Sequence, residues 1–559
     1  MKRYLLVVGT PLEDGVIGKL IADRYWVVSP TWVLETHPEK PPILPETIPS
    51  WLKPYLKLSP YRQHIPKVYG YLPHGNEERW LLEYEPLASR IQEKLGQGQF
   101  LCKLEEVWQG TPAIRQLNWL LQISQLWQPL QVQGVVKTLI NPELVRVNGP
   151  IIQLQQLEPD KTEITLKDLG NLWSNWQETA HPEIRLFFQQ VCQQLQKGEF
   201  RDSESLSQQL EKGIAQIARS RQYKYHIATA SEAGPSRQQN EDAYYDTETE
   251  SQKPSQALAM VCDGVGGHQG GEVASKLAVE QVRQYLNGQK PASPEAIITK
   301  IENAVSVAND VISDQNDTEH RYGQQRMGTT LVMALADHHE MYLTHVGDSR
   351  IYWITYGGCY QLTLDDDLAS RQTRLGHMLY REALQQPYAG ALVQALGMSS
   401  SQLLHPTTQR LMIDEESVFL LCSDGLSDND LVESYWEEEI LPILTEGKDL
   451  KQVTQRLINL ANRLNGHDNV TVSLVKCSVS ASGEDPTQLK ADQKEASSQP
   501  TLPVTAPAKT KKKAGFPWLL LLMGLVMGGL GVAYWELAQV HQSLQEWQEN
   551  WKPMETPSE

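Results

Sequence analysis

The 559-residue chain is too long for one ordinary hydrophobic core, so two or three domains are expected. Hydrophobic residues make up 40% of it and charged residues 21%, with a formal net charge of −18. That acidity weighs against nucleic acid as a partner, because phosphate backbones need basic surface. The six cysteines (Cys102, Cys192, Cys262, Cys359, Cys422 and Cys477) form no CxxC pair. They indicate a reduced compartment rather than a disulfide scaffold or zinc site, with Cys262 and Cys422 buried in apolar runs.

In chain order, Tyr4-Leu-Leu-Val-Val-Gly9 is too short for a signal-peptide core and reads as a first β-strand. Residues 1–220 mix strand-like and helical runs into an N-terminal α/β domain. Trp26, Trp32, Trp51, Trp80, Trp108, Trp119, Trp127, Trp173 and Trp176 argue for a core there. His64-Ile-Pro-Lys-Val-Tyr-Gly70 followed by Trp80-Leu-Leu-Glu-Tyr84 resembles the strands before the hinge of a protein kinase. Gly134 to Gly149 resembles the kinase catalytic loop and the hairpin after it, and Leu169-Gly-Asn-Leu-Trp173 a late helix. The resemblance implies a dead kinase. Leu139 stands for the catalytic aspartate, Leu144 for the metal-binding asparagine, and no Asp-Phe-Gly comes after them. An unrelated α/β domain is the alternative; in either case the region would bind a partner or regulate the domain C-terminal to it.

Residues 225–477 alternate β-branched runs (258–262, 329–334, 341–346, 350–354, 417–422, 469–475) with amphipathic helical stretches (272–286, 294–313, 449–464), an α+β pattern. Acidic residues recur in short segments: Arg237-Gln-Gln-Asn240-Glu241-Asp242, Met260-Val-Cys-Asp263-Gly264, Val346-Gly-Asp348-Ser349-Arg350, Leu421-Cys-Ser423-Asp424-Gly425-Leu-Ser-Asp428 and Gly466-His-Asp468-Asn469. Asp263 and Asp424 each follow an apolar strand and precede a glycine, which lets backbone approach a ligand. A lone Asp-Gly is most often a turn. Several in one zone can converge on one spot, where clustered carboxylates repel unless a cation neutralises them. Oxygen-only ligands select Mg²⁺ or Mn²⁺ over zinc or copper.

These segments, in this order, resemble the type 2C (PPM) metal-dependent Ser/Thr protein phosphatases. The resemblance implies a β-sandwich of two antiparallel sheets flanked by helices. It implies two Mn²⁺ or Mg²⁺ ions, with Asp263 bridging both and the Gly264 carbonyl joining it on the second. Asp424 and Asp468 complete the first; Glu241 and Asp242 support the second, partly through water. Arg237, matching the arginine that binds the substrate phosphate, and Asp242 are assigned to catalysis. Asp348 and Asp428 match a weaker third metal site, and Asn469 orients the ligand loop. The implied reaction is single-step hydrolysis of phosphoserine or phosphothreonine by a metal-bridging hydroxide, with no cysteine nucleophile.

Several positions depart from the pattern. Val265 replaces a histidine that serves some members as general acid, so the leaving-group proton must come from elsewhere. His268 reads as a turn residue, Glu232 stands where aspartate is usual, and Asp365-Asp366-Asp367 replaces Asp-His-Ser. Residues 368–396 correspond to the substrate-facing flap.

Residues 478–514, rich in Ser, Ala, Pro, Thr and Lys, read as a disordered linker. Phe516 to Trp535 carries no charge and is long enough to cross a bilayer. Lys509, Lys511, Lys512 and Lys513 precede it and a mostly acidic tail, 536–559, succeeds it, so the positive-inside rule places the N-terminal and phosphatase regions in the cytoplasm. Gly524 and Gly528 form one GxxxG, a weak dimer signal. The expected protein is a single-pass, membrane-anchored phosphatase acting on cytoplasmic phosphoproteins. The alternative is a non-catalytic membrane scaffold joining a pseudo-kinase to a phosphatase-like domain, and such scaffolds usually lack a metal carboxylate that is present here.

Overall fold

The structure, a computed structural model, describes residues 3–44, 47–75, 77–247, 254–265, 270–288, 291 and 293–481. His268, most of the expected linker, the apolar run 516–535 and the tail lie outside the described residues. Among the described residues no helix is long and apolar enough to cross a membrane.

The N-terminal apolar run forms β1 (Arg3–Gly9), and both of its faces are buried. Leu5 and Val7 pack with Tyr25, Val27, Val33 and Tyr69, whereas Leu6 and Val8 pack with Trp32, Trp80 and Leu82, as a period of two requires. The strands β2 (Leu20–Ile21), β3 (Tyr25–Ser29), β4 (Trp32–Glu35), β5 (Lys67–Tyr71) and β6 (Arg79–Glu83) complete a six-stranded antiparallel sheet of order β2-β3-β4-β1-β6-β5. The apolar helix Ala113–Val132 comes after the sheet. A hairpin of β7 (Val145–Asn148) and β8 (Ile151–Leu154) is next, then helices Leu166–Ser174, Arg185–Lys197 and Ser203–Ala218. Of the nine tryptophans expected in this core, seven are buried; Trp26 and Trp51 face solvent at 44% and 37% exposure, so they are surface residues and not core.

The remaining twelve strands are β9 (Arg221–Glu232), β10 (Ala243–Asp246), β11 (Gln256–Cys262), β12 (Gly264–Val265), β13 (Gly328–Thr329), β14 (Leu331–Asp337), β15 (Glu340–Val346), β16 (Arg350–Ile354), β17 (Cys359–Gln361), β18 (Thr407–Met412), β19 (Ser417–Cys422) and β20 (Val470–Ala481). Ten of them build two five-stranded antiparallel sheets, β10-β11-β14-β15-β18 and β17-β16-β19-β20-β9. Ala259, Val261, Val332 and Leu343 of the first share a core with Ile351, Phe419, Leu421 and Val475 of the second. On the outer faces, helices Gly271–Leu286 and Pro294–Thr318 cover the first sheet through Met260, Cys262 and Met333. Helices Leu431–Glu439 and Leu450–Leu464 cover the second through Leu420, Cys422 and Leu474. The two cysteines expected to be buried are fully so.

Three expected boundaries move. The run 329–334 is broken at Thr330, whose N–H leaves the ladder and donates to the Asp263 carbonyl (2.9 Å). The helix expected over 294–313 continues to Thr318. The last strand runs to Ala481 because its partner β9 is twelve residues long and pairs Arg221 with Ala481, so 478–481 are strand and not linker.

The described residues fall in one contact unit. The N-terminal region covers an open edge of each sandwich sheet. Beside β17, the Cys359 N–H donates to the Pro86 carbonyl and the Ala88 N–H to Gly357 (2.9 and 3.0 Å). Beyond β18, Arg115 pairs with Asp414 at 2.5 Å and Glu415 at 2.8 Å, and Arg410 pairs with Glu211. Covered edges cannot recruit further strands.

Candidate active site

The carboxylates gather at one end of the sandwich because the strands deliver them there. Asp263 leaves the end of β11 with its backbone gripped on both sides. Its N–H donates to Thr330 Oγ1 (3.0 Å), and its carbonyl accepts from Thr330 N (2.9 Å) and Thr329 Oγ1 (2.8 Å). Thr330 Oγ1 also meets Ser349 Oγ at 2.7 Å, which ties the turn carrying Asp348 to the same point. Asp424 leaves β19 one residue after Ser423 and opens the short helix Asp424–Ser427. A Cβ on Gly425 would lie 2.0 Å from the Asn469 carbonyl oxygen, so only glycine lets this turn press against the Asp468 segment.

Asn469 is the clasp of the loop that carries Glu241. Its Oδ1 accepts the Glu241 N–H (2.9 Å) and its amide donates to the carbonyls of Ala233 and Gln239 (both 2.9 Å). Ser275 Oγ donates to the Glu241 carbonyl (2.6 Å). A Cβ on Gly271 would sit 2.7 Å from Glu241 Oε2 and 2.8 Å from the Gly264 carbonyl oxygen. The missing side chain therefore lets these two acceptors face one space.

The electrostatics are those of acids without counter-ions. Burial, then Asp242, Asp424 and Asp348, push the Asp263 carboxyl well above the usual range. Burial and the nearby Asp424 and Asp468 raise Asp242 to about 7; burial, then Asp428 and Asp468, raise Asp424 to about 6. Burial, then Asp424 and Asp365, raise Asp348 to about 8. Asp263 and Asp424 lie close enough for their carboxyls to interact, an arrangement that a proton or a cation between them stabilises. Asp242 Oδ2 accepts from Ser423 Oγ (2.8 Å), but Asp242 Oδ1 and Asp424 Oδ1, both buried, receive no hydrogen bond from a protein donor.

The remaining expected residues lie at the rim. Arg237, half-exposed, pairs with Asp468 (2.7 Å) and donates to the His467 carbonyl (3.2 Å). Asp428 pairs with His467 (3.1 Å). Among the described residues no three Asp, Glu, His or Cys side chains converge tightly enough to form a ready-made ion cage. The acids are instead distributed in pairs: Asp263 with Asp424, Asp242 with Ser423, Asp468 with Arg237, Asp428 with His467. Orphaned buried oxygens and an all-oxygen donor set nevertheless suit a hard divalent cation.

Thr329, Thr330, Ser275 and Ser423 hold these acids; Ser275 and Ser423 stand in the acidic segments of the sequence, which assign them no role. Asp365, Asp366 and Asp367 are structural: Asp365 pairs with Arg350 (2.7 Å), Asp366 accepts from the Gly347 N–H (3.0 Å) and Asp367 caps helix Leu368–Arg374 through the Ser370 N–H (2.6 Å). Val265 is a strand residue paired with Gly328. Glu232 accepts from Gln455 and Asn462, an anchoring contact of β9. Cavities of about 540 Å³ near Trp127 and Phe200, about 470 Å³ near His64 and Gln122 and about 360 Å³ near Arg283 contain none of the acids of this site.

Residues 233–465 match the protein phosphatase 2C family. A serine/threonine phosphatase of Listeria monocytogenes is 31% identical over 234 residues, which are 42% of this chain and 89% of the relative. The serine/threonine protein phosphatase PstP of Mycobacterium tuberculosis is 33% identical over 245 residues, 44% of this chain. That match spans only 43% of the mycobacterial protein. A crystal structure of the PstP catalytic domain in complex with two manganese ions aligns at 28% identity, covering 46% of this chain and 99% of that one, with a TM-score of 0.37. The chain belongs to the type 2C (PPM) family of metal-dependent serine/threonine protein phosphatases.

Proposed function

We propose that the protein hydrolyses phosphoserine and phosphothreonine in proteins with two Mn²⁺ or Mg²⁺ ions at the sandwich end. The supporting observation is the set Asp242, Asp263, Asp348 and Asp424, whose carboxyls burial and neighbouring carboxylates push upward, with unpartnered buried oxygens on Asp242 and Asp424. Asp263, Asp424 and Asp468 would hold one ion; Asp263, Glu241, Asp242 and the Gly264 carbonyl would hold the other; Asp348 and Asp428 would serve a weaker third. When bound, such ions ionise water near neutral pH and neutralise charge on a phosphoryl group. Arg237 is placed to exchange Asp468 for the substrate phosphate, a fork-shaped donor suited to two oxygens. Ser423 and Asn469 would keep Asp242 and Glu241 oriented through the hydrogen bonds they make to them. The test is hydrolysis of a phosphothreonine peptide by the full chain with Mn²⁺ and after chelation; activity that survives chelation overturns the metal assignment.

The flanks carry two further roles. Residues 1–220 are read as a degenerate kinase-like region with a regulatory role. The paired β5–β6, the β7–β8 hairpin after residues 134–144 and the burial of Leu139 and Leu144 favour this. An ATP-binding assay with no signal fits it; measurable phosphotransfer would refute it. Residues 516–535 are read as a membrane anchor with the N-terminal side cytoplasmic, on the strength of the uncharged run and the lysines before it. Retention in membranes after alkaline washing supports that anchor, and release into the wash refutes it.

A further inference from the structure

The N-terminal sheet grips the phosphatase flap. Glu83, the last residue of β6, meets Arg381 of helix Tyr380–Ala383 at 3.1 Å. The Arg381 guanidinium also lies 4.8 Å over the Tyr69 ring of β5. Tyr69 is itself fixed: its hydroxyl donates to Glu35 (2.8 Å) and accepts from Arg24 (2.9 Å). Arg3 of β1 approaches Glu83 at 3.6 Å and donates to Asp430 at 2.9 Å. Asn429 and Asp430 both hold left-handed backbone (φ 60° and 54°), which Asn and Asp adopt more readily than other non-glycine residues. Asp430 lies two residues beyond Asp428. One carboxylate thus connects, through Arg381 and Arg3, to the flap and to the loop leaving the acidic cluster.

The other end of the flap is tied to the site itself. Asp366 accepts the N–H of Gly347, next to Asp348, and its own N–H donates to the Gly347 carbonyl (3.0 Å). The Asp366 carbonyl accepts the Val393 N–H (2.7 Å), closing the flap's base. Base and middle are therefore anchored on different parts of the molecule.

The geometry points to Glu83 as a positioning residue for the phosphatase reaction: by holding Arg381 and, through Arg3, Asp430, it sets where the flap meets a phosphoprotein substrate. This role rests on the phosphatase function proposed for the acidic site. It makes the N-terminal region part of substrate engagement, not merely a neighbour.

The test uses the full chain with Mn²⁺, a phosphothreonine peptide and p-nitrophenyl phosphate, a substrate too small to span site and flap. Glu83→Gln is expected to raise the peptide KM about fivefold while changing kcat/KM for the small substrate less than twofold. Glu83→Asp should restore part of the peptide KM. Glu83→Gln combined with Arg381→Gln should be no worse than either alone, because the two groups act as one pair. Amide exchange over 375–386 should quicken in Glu83→Gln. An unchanged peptide KM overturns the proposal, as does an equal loss on both substrates with unchanged exchange, which marks a structural role only. If the unaltered chain hydrolyses neither substrate, the phosphatase function fails, and the exchange arm still decides the clamp: unchanged exchange over 375–386 overturns it.

Discussion

Two clusters of buried and half-buried acids in this protein behave in opposite ways. At the junction between the N-terminal sheet and the flap each carboxylate has its own cation: Glu35 with Arg24, Glu85 with Arg62 and Lys67, Glu83 with Arg381 and Arg3. Burial works against the charge on Glu83, but Arg381, Arg3 and Lys67 outweigh it and hold the carboxyl down at about 2. At the sandwich end burial, then repulsion from neighbouring carboxylates, pushes Asp242, Asp263, Asp348 and Asp424 upward. Each acid of the first cluster has a cation, although Glu85 Oε2 and Arg3 Nη1 are buried without a hydrogen-bond partner. The second set is relieved either by protons or by a cation, and a cation is what the proposed metal site would supply. Acidic composition does not separate the two; the presence or absence of an arginine in contact does.

The largest effect expected is at the second cluster. Asp263→Asn removes the carboxylate at the centre of the repelling set, and Mn²⁺-dependent hydrolysis of a phosphothreonine peptide should fall at least about a hundredfold, on the scale of losing a principal electrostatic element. The same substitution removes a repelling charge, so a melt in chelator should show no loss of stability. A large loss there would mean that Asp263 is structural and that the two clusters do not differ in kind.

At acids paired with a cation the expectation reverses. Arg115→Ala strips the partner from Asp414 (1% exposed) and Glu415, and should destabilise the fold by about 3–5 kcal/mol in denaturant melts, the usual cost of orphaning buried charges. A change below about 1 kcal/mol would show that the region covering the β18 edge does not need this ion pair.

His64 sharpens the comparison through pH. Burial lowers its pKa from 6.5 to about 4, against a hydrogen bond from its ring to the Ile152 carbonyl (2.7 Å). The folded value lies below the unfolded one, so the unfolded chain binds the extra proton between them. Stability is therefore full above pH 6.5 and declines as pH drops towards 4. The ring is partly exposed, so the decline should be roughly 1–3 kcal/mol, and His64→Gln should flatten it. An unchanged slope in that variant would assign the acid sensitivity to other groups. The smallest effect belongs to Lys276 and Glu272, an exposed pair one helical turn apart. Lys276→Ala should change stability by less than about 0.5 kcal/mol in the same melts.

The local parts of this protein could be read from its residues in order. Apolar runs 350–354 and 417–422 became strands with those bounds, and the helices expected over 272–286 and 449–464 formed within one residue of them. Asp-Gly after an apolar run marked Asp263 and Asp424 because strand ends and tight backbone are short-range consequences of neighbouring residues. Asp365, Asp366 and Asp367 look equally functional in one dimension, yet the fold spends them on Arg350, the Gly347 turn and a helix cap.

What the chain order could not contain is which charges meet. Glu83 and Arg381 are 298 residues apart, Arg237 and Asp468 are 231 apart, and nothing in either local pattern selects the other. The residues themselves determined the family motifs, the strand and helix periods and the shortage of basic residues. Folding alone decided which buried acids acquired an arginine and which were left to one another, because Coulomb energy depends on distance and burial, and both are set only when remote segments pack.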